Sequence, residues 1–207
     1  ILRGLVGSEM CIRDSVETTG LNYQDDEIIE LAVKVISVEK NTGTITNIVN
    51  SYESFNEPIK PIDSKITKIT GISKKMVHGK KINWIKVEEI LKSVDVMISH
   101  NASFDRPFID SKLELSKNKL WACSIRDIDW LERGFVSNKQ EMLCLWHGFY
   151  FDAHRAMNDV DALIHLTTHP FYENNRPIVE LYNKSKIKQY NIWVTNFPFN
   201  ACLLYTS

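Results

Sequence analysis

Carboxylates and histidines occur at three separated places in the sequence, each beside an apolar run. The segments are SVETTGL at residues 15–21, HNASFD at residues 100–105 and HRAMND at residues 154–159. Taken singly each is weak, because an acid near a helix start is usually a cap and a lone histidine is usually structural. Taken together they offer the oxygen ligands that Mg²⁺ and Mn²⁺ prefer. Two such ions about 3.5–4 Å apart promote phosphodiester hydrolysis by activating water and stabilising the leaving oxygen.

The elements that must position these segments begin with a predicted β-hairpin. Residues 27–38 alternate in their second half and are rich in β-branched side chains, which predicts a strand. The run NTG at residues 41–43 predicts a turn, and residues 44–55 predict the second strand of the hairpin. The other predicted strands are short apolar or alternating runs at residues 94–99, 120–124 and 189–194.

Helical spacing characterises most of the remaining segments. Residues 83–93 predict an amphipathic helix, whose inward side chains would be Ile85, Val87, Ile90, Leu91 and, just beyond it, Val94. Asn101 is expected to cap a helix that places Phe104, Phe108, Ile109 and Leu113 on one face. The other predicted helices are residues 65–69 and 73–77, separated by Gly71, then 139–146, 153–166 (ended by Pro170) and 177–184.

The composition narrows the class of protein. A chain of 207 residues with 43% hydrophobic and 25% charged content fits one ordinary globular domain or a domain with a short appendage. The formal net charge of −1 argues against nucleic-acid binding through bulk positive charge. No apolar run approaches the roughly twenty residues of a membrane span, so no membrane partner is expected. Four cysteines lie far apart without a CxxC pair, which indicates a reduced, cytoplasmic chain.

The three segments, in this order, resemble the exonuclease motifs of the DnaQ-like DEDDh 3′–5′ exonucleases, the family of the proofreading epsilon subunit. The family pattern is D-x-E-T-T-G at the end of the first strand, H-N-x-x-F-D at the start of a mid-chain helix, and H-x4-D on a late helix. The resemblance covers residues 16–166 and departs from the pattern at one position. It implies an α/β, ribonuclease H-like mixed β-sheet flanked by helices, and two divalent ions, Mg²⁺ or Mn²⁺, as cofactors. Alternating strands and helices agree with that fold class.

The resemblance also implies roles for individual residues. Glu17, Asp105 and Asp159 would be metal ligands, and His154 would be the general base that takes a proton from the attacking water. A rival group, DEDDy, has tyrosine at the position of His154, so this chain is assigned to the histidine type. The residues implied to contact the terminal nucleotide and its strand are Thr18, Gly20, Leu21, His100, Asn101 and Phe104. The resemblance implies that Leu21 presses against a base of the substrate. For both Leu21 and Phe104, a place in the hydrophobic core is an equally weighted alternative.

Ser15 stands where the family has its first aspartate. A serine hydroxyl is neutral and rarely replaces a carboxylate between two cations, so we expect this chain to bind metal poorly and to cleave slowly. Asp14 is three residues before Glu17, and on a regular strand it would point to the opposite face. Two explanations compete: a degenerate exonuclease kept as a non-catalytic nucleic-acid-binding module, or a foreign codon that overwrites a natural aspartate.

The two ends of the sequence favour the second explanation. The tail CLLYTS at residues 202–207 can be encoded by TGTCTCTTATACACATCT, whose reverse complement encodes MCIRD of residues 10–14 and permits Ser15. This inverted repeat resembles the transposase end sequence of sequencing libraries. Side chains encoded by the adaptor are expected to pack badly in the first strand and to weaken the sheet. The expected division is adaptor at residues 1–15, an exonuclease domain at 16–170, the start of a C-terminal extension at 171–201, and adaptor at 202–207.

The preferred function is a metal-dependent 3′–5′ exonuclease that releases nucleoside 5′-monophosphates from single-stranded or frayed 3′ ends. DNA is favoured over RNA, and a DNA polymerase is the protein partner that the family suggests. The alternative, a non-catalytic nucleic-acid-binding module, fits poorly with the near-neutral net charge. A clamp-binding protein would need a linear motif, and none is found between residues 16 and 201. Lys184, Lys186 and Lys188 could contact a phosphate backbone, although such a run is more often a solvated face.

Overall fold

Five strands form one mixed sheet at the centre of the fold. The computed structural model describes residues 8–187, with the backbone alone for residues 8–11. The strands are β1 (Ser8–Thr18), β2 (Ile28–Glu39), β3 (Ile45–Phe55), β4 (Val96–Ser99) and β5 (Leu120–Cys123). Their order is β3-β2-β1-β4-β5, with antiparallel pairing from β3 to β1 and parallel pairing from β1 to β5. The mixed sheet was predicted, and the strand expected at residues 189–194 lies outside the described residues.

Helices cover both faces of this sheet. They are α1 (Ser64–Thr70), α2 (Lys74–Val77), α3 (Trp84–Lys92), α4 (Ala102–Asp110), α5 (Glu114–Lys117), α6 (Ser124–Asp127), α7 (Gln140–Trp146), α8 (Ala156–Thr167) and α9 (Pro177–Ser185), with a 3₁₀ turn at Pro170–Tyr172. Among the residues that the structure describes, no helix is both long and apolar enough to cross a bilayer.

The two faces of β1 pack against different helices because successive side chains alternate across a strand. Ile12 and Val16 join the apolar cluster that contains Leu91 of α3 and Phe108 of α4. The opposite face of the sheet packs on a second cluster, which includes Val160 of α8. Strand β2 is buried along nearly its whole length, as expected of an interior strand covered on both sides, whereas the edge strand β3 is mostly exposed.

Local sequence signals explain how several elements begin and end. The Asn83 side chain accepts a hydrogen bond from the Lys86 amide and thereby caps α3. Gly71 ends α1 with φ of 70°, a left-handed conformation that glycine adopts without a Cβ penalty. Ile85 departs from the expected pattern: it is 73% exposed, so the inward face of α3 is formed by Val87, Ile90 and Leu91 without it.

Helix α8 begins later than the sequence predicts. The apolar periodicity indicated a helix from residue 153, whereas α8 begins at Ala156 with Arg155 in an extended conformation at its N-terminus. His154 precedes the helix and has φ of 64°, in the left-handed region. The pattern of buried residues marks the helix interior but does not reveal a left-handed residue just before its first turn, because that residue points away from the core.

Strand β1 carries two buried charged side chains at its centre. Arg13 and Asp14 are both buried, and they point to opposite faces of the sheet. Arg13 donates from Nη2 to Thr167 Oγ1 of α8 at 2.6 Å, and the Asp14 carboxylate accepts from Ser99 Oγ of β4 at 3.0 Å. Burying a charge costs free energy even when it is hydrogen-bonded. The expectation that residues before Val16 fit the central strand poorly stays a prediction.

Candidate active site

A single cavity of about 590 Å³ brings together the residues singled out at the three acidic places. It lies where β1 ends, between α4 and α8 on opposite faces of the sheet. The lining side chains include the four residues implied in catalysis, Ser15, and every residue implied to contact substrate: Glu17, Asp105, His154 and Asp159, then Thr18, Gly20, Leu21, His100, Asn101 and Phe104. Segments separated by about 80 and about 50 residues in the sequence therefore meet at one end of the sheet.

The end of β1 is shaped by a register irregularity between Glu17 and Thr18 in its pairing with β2. The chain then leaves the sheet in a tight loop, in which Thr18 Oγ1 donates to the Gly20 carbonyl at 2.5 Å. A Cβ at Gly20 would collide with the carboxylate of Asp26, which explains why this position holds glycine. The bulge and loop turn the residues after Glu17 toward the cavity.

Asp105 reaches the cavity from the first turn of α4. Its carboxylate accepts a hydrogen bond from the Val16 amide at 3.1 Å, which ties α4 to the end of β1. Burial, and then the neighbouring Asp14, raise the pKa of Asp105 well above its ordinary value. Burial likewise raises the pKa of Asp14 to about 7, against the hydrogen bond from Ser99. Asp14 therefore lies on the α4 side, beside Asp105.

Glu17 and Asp159 approach the cavity from β1 and α8. Burial raises the pKa of Glu17 to about 8, with further contributions from Asp159, Glu30 and Asp105. Burial and then Glu141 raise the pKa of Asp159 to about 7, although backbone hydrogen bonds from His154 and Arg155 act in the opposite direction. Carboxylates that share a site repel one another, and a bound cation would relieve that repulsion.

His154 lies at the open side of the cavity. Its side chain is about half exposed, and Nε2 is 3.9 Å from Oε1 of Glu141 on α7. The next residue, Arg155, donates from Nη2 to Oε1 of Glu30 at 2.8 Å. The Ala156 amide donates to Oε2 of the same carboxylate at 2.9 Å. These hydrogen bonds from Arg155 and Ala156 to Glu30 hold the segment that carries His154 against β2.

The sequence analysis did not single out Glu30 or Gln140. Glu30 is fully buried and lies directly opposite Glu17 in the β1–β2 register. Gln140 donates from Nε2 to the Asp159 carbonyl at 2.7 Å and so links α7 to α8 beside the cavity. Glu30 did carry a signal, since an acid within an otherwise apolar predicted strand must find a partner when buried. Gln140 carried none, because a glutamine at a helix start is common.

The residues implied to contact substrate lie around the cavity mouth and floor. Leu21 is 86% exposed and is therefore not part of the core. Phe104 is half-buried and stacks obliquely on Phe108 with ring centroids 5.3 Å apart, so it both packs against the core and lines the cavity. His100 Nδ1 lies 2.6 Å from Ser124 Oγ, and burial lowers the pKa of His100 to about 4, which keeps its imidazole neutral near pH 7.

The carboxylates that line the cavity have the chemistry that a divalent cation selects, but the described residues do not gather them into a metal-binding group. Glu17, Asp105 and Asp159 supply carboxylate oxygens, the ligands that Mg²⁺ and Mn²⁺ select. Ser15, which shares the face of β1 with Glu17, offers only a neutral hydroxyl. Within residues 8–187, no three His, Cys, Asp or Glu side chains stand close enough together to hold a metal ion.

Comparison with known proteins agrees with this geometry. The family model RNase_T, described as "Exonuclease", matches residues 16–167. Among curated proteins, the DNA polymerase III PolC-type of Halalkalibacterium halodurans is 32% identical over 176 residues, which cover 78% of this chain and 11% of that protein. The PolC-type enzyme of Bacillus subtilis is 27% identical over 97% of this chain and 14% of its own length. The chain thus spans a small part of these relatives.

Solved structures show the same fold. Exonuclease I superposes with a TM-score of 0.63 and 18% identity over 84% of this chain and 43% of its own. The nuclease domain of 3′hExo, described as a DEDDh family member bound to rAMP, superposes with a TM-score of 0.60 and 13% identity, over 81% of this chain and 94% of its own. The ribonuclease H-like fold predicted from sequence is therefore confirmed. The chain belongs to the DnaQ-like DEDDh family of 3′–5′ exonucleases, the RNase T family, and is related to PolC-type DNA polymerase III.

Proposed function

We propose that this domain hydrolyses phosphodiester bonds from the 3′ ends of single-stranded or frayed DNA, releasing nucleoside 5′-monophosphates, when a carboxylate occupies position 15. The observation that carries the proposal is the single cavity in which Glu17, Asp105, His154 and Asp159 converge from three distant segments. DNA is favoured over RNA as the substrate because the curated relatives are DNA polymerases. A DNA polymerase is, on the same ground, the proposed protein partner.

The residues of the cavity would have different roles in hydrolysis. Glu17, Asp105 and Asp159 would hold two divalent ions, Mg²⁺ or Mn²⁺, which when bound supply a hydroxide at neutral pH and stabilise the leaving oxygen. His154, half exposed at the cavity mouth, would accept the proton of the attacking water on an imidazole nitrogen.

The terminal nucleotide would lie against the loop after β1. Thr18 and Gly20 line the cavity beside Glu17, where sugar and phosphate would bind, and Leu21 projects into solvent, where it can press on a base. Asn101 and Phe104 would contact the strand from α4. Contacts to sugar, phosphate and the face of a base carry little sequence information, so weak base preference is expected.

The test is hydrolysis of a 5′-labelled single-stranded oligonucleotide in the presence of Mn²⁺. The Ser15→Asp protein should shorten the labelled oligonucleotide stepwise from its 3′ end. Its rate should be at least about 100-fold higher than that of the chain with Ser15, as expected when a metal ligand is restored. The matched control is Ser15→Asn, which has nearly the same size but no charge and should stay slow. Asp159→Asn in the Ser15→Asp background should abolish the gain. A folded Ser15→Asp protein without any hydrolysis would contradict the proposal.

The second candidate is a non-catalytic nucleic-acid-binding module, which Ser15 itself favours. It predicts metal-independent binding of single-stranded DNA, and no gain of hydrolysis from Ser15→Asp. The gain or absence of hydrolysis by the Ser15→Asp protein, compared with the unchanged chain, therefore separates the two functions.

A further inference from the structure

Two cavities flank the candidate active site along α9. One, of about 550 Å³, lies between residues 125–139 and Lys184 of α9. The other, of about 440 Å³, lies between α4, β5 and residues 185–187. Arg126 lines both cavities and lies between them, and we call the two cavities together the α9 groove.

The α9 groove meets the candidate active site at two helix starts. At α4, Asn101 lines the active-site cavity while Ala102 and Ser103 line the groove. At α7, Gln140 lines the active-site cavity while Lys139 lines the groove. The groove and the active-site cavity are therefore adjacent at these two helix starts.

The charges of the groove and of the active-site cavity are opposite. Six basic residues line the groove, against the single acid Asp129: Arg106, Lys119, Arg126, Lys139, Lys184 and Lys186. The active-site cavity has four acids and Lys65 as its one lysine. A chain with a formal net charge of −1 therefore concentrates positive charge next to its acidic pocket.

Several of these cations form ion pairs, yet they remain available to a ligand. Arg126 pairs with Asp127, and the arginine side chain is 57% exposed while the aspartate is 6% exposed. Lys184 pairs with Glu180, and again the cation is the more exposed partner. In each pair the carboxylate lies behind the cation, which faces the groove. Lys139 and Lys186 are exposed on the surface.

We propose that the α9 groove binds the phosphates of the single-stranded polynucleotide that lies 5′ of the terminal nucleotide in the active site. The proposal rests on the proposed function, which places the 3′ end in the adjoining cavity. Trp121 and Trp130 of the groove are 8% and 3% exposed, so bases cannot stack on them. Phosphates are then the groups that the groove recognises, and binding should depend on salt and length more than on sequence.

Lys184 and Lys186 are the residues to change, since they lie beyond the matched residues 16–167 and their removal leaves no buried acid without a partner. The experiment measures the affinity of 5′-fluorescein-labelled dT20 and dT3 by anisotropy, in EDTA and at several salt concentrations. It compares the unchanged chain with the Lys184→Gln/Lys186→Gln double variant. The matched control is the Lys80→Gln/Lys92→Gln double variant, since neither lysine lines any of the three cavities. Lys92 forms an i,i+4 ion pair with Glu88 on α3, as Lys184 does with Glu180 on α9.

The double variant should bind dT20 about 25-fold more weakly near 0.1 M salt, and its slope of log affinity against log salt should fall by about 1.4, two phosphate contacts at ~0.7 each. The advantage of dT20 over dT3 should shrink accordingly, while the control keeps the original slope. Equal slopes for both double variants, or no preference for dT20 by the unchanged chain, would overturn the proposal. Hydrolysis by the Ser15→Asp protein with its groove intact reports separately on the proposed function.

Discussion

Glu30 on β2 and Arg155, the residue before α8, form an ion pair that holds the His154 segment against the sheet. The guanidinium donates from Nη2 to Oε1 at 2.8 Å, and the Ala156 amide occupies Oε2 at 2.9 Å. Glu30 is fully buried and sits opposite Glu17, so the carboxylate connects the first strand pair to the start of the third motif. The position of His154 thus depends on a residue of β2 that does not line the cavity.

Replacing Arg155 with methionine should cost about 3 kcal/mol of unfolding free energy, because it leaves the buried Glu30 carboxylate without its cation. The measurement is urea unfolding at neutral pH. Arg106→Met is the control: its pair with Asp110 is more exposed, and the loss there should stay below about 1 kcal/mol. Adding Glu30→Gln to Arg155→Met should recover part of the lost unfolding free energy. Equal losses for Arg155→Met and Arg106→Met would contradict this account.

Asp14→Asn should stabilise the protein more at pH 8 than at pH 4. Burial raises the pKa of Asp14 from 3.8 to about 7, so the folded chain holds a proton that the unfolded chain releases above about pH 4. Stability therefore falls as pH rises from about 4 to about 7, and the penalty is complete above that window. The asparagine can still accept the Ser99 hydrogen bond and carries no charge. The gain should reach about 2–4 kcal/mol at pH 8.

Urea unfolding in EDTA at pH 4, 6 and 8 measures the effect of Asp14→Asn. The control is Asp152→Asn, at an exposed aspartate, which should show no such trend with pH. If the benefit of Asp14→Asn were constant across this range, burial of the ionised carboxyl would not be the reason for it.

Leu21→Ala should weaken substrate use without weakening the fold. The side chain is 86% exposed, so truncation removes little core packing, whereas a base pressed against it would bury it. In the Ser15→Asp background we expect KM for an oligonucleotide to rise about 10-fold, equivalent to ~1.4 kcal/mol. Ile59→Ala, at a 95% exposed site outside the cavity, should leave both KM and stability unchanged. An unchanged KM for Leu21→Ala would remove Leu21 from the substrate site.

Divalent metal should stabilise the Ser15→Asp protein and have little effect on the chain with Ser15. Burial and neighbouring carboxylates raise the pKa values of Glu17 and Asp159 to about 8 and about 7, so a bound cation would favour the charged form of both groups. At a concentration 100 times the Kd, Mn²⁺ should add about 2.7 kcal/mol, visible as an increase in Tm that EDTA reverses. Asp159→Asn should remove the increase. A similar increase for Ser15, Ser15→Asp and Asp159→Asn proteins would indicate binding elsewhere.

Much of the fold followed from local patterns. The hairpin of β2 and β3, helix α3 and the break at Gly71 are confirmed within one or two residues. Each depends on alternation, helical period or a positive φ at glycine, which neighbouring residues determine. The family and the ribonuclease H-like fold followed from three motifs whose order is specific.

The remaining features depend on tertiary contacts that no local pattern encodes. The exposure of Ile85 depends on which neighbours cover that side of α3, and helical period alone did not distinguish it from Val87. The link from Gln140 to Asp159 joins two helices through a backbone carbonyl. The α9 groove arises because residues scattered from 106 to 186 face one space.

The left-handed backbone at His154 restricts the chemistry that this position can host. Asparagine, aspartate, histidine and glycine enter that conformation most readily, whereas a bulky or branched side chain costs on the order of 1–2 kcal/mol there. Exchange of the imidazole for a phenol at residue 154 would therefore carry that backbone cost in addition to the change in chemistry. For the proposed role of His154 as proton acceptor, the main chain therefore restricts which side chains residue 154 can carry.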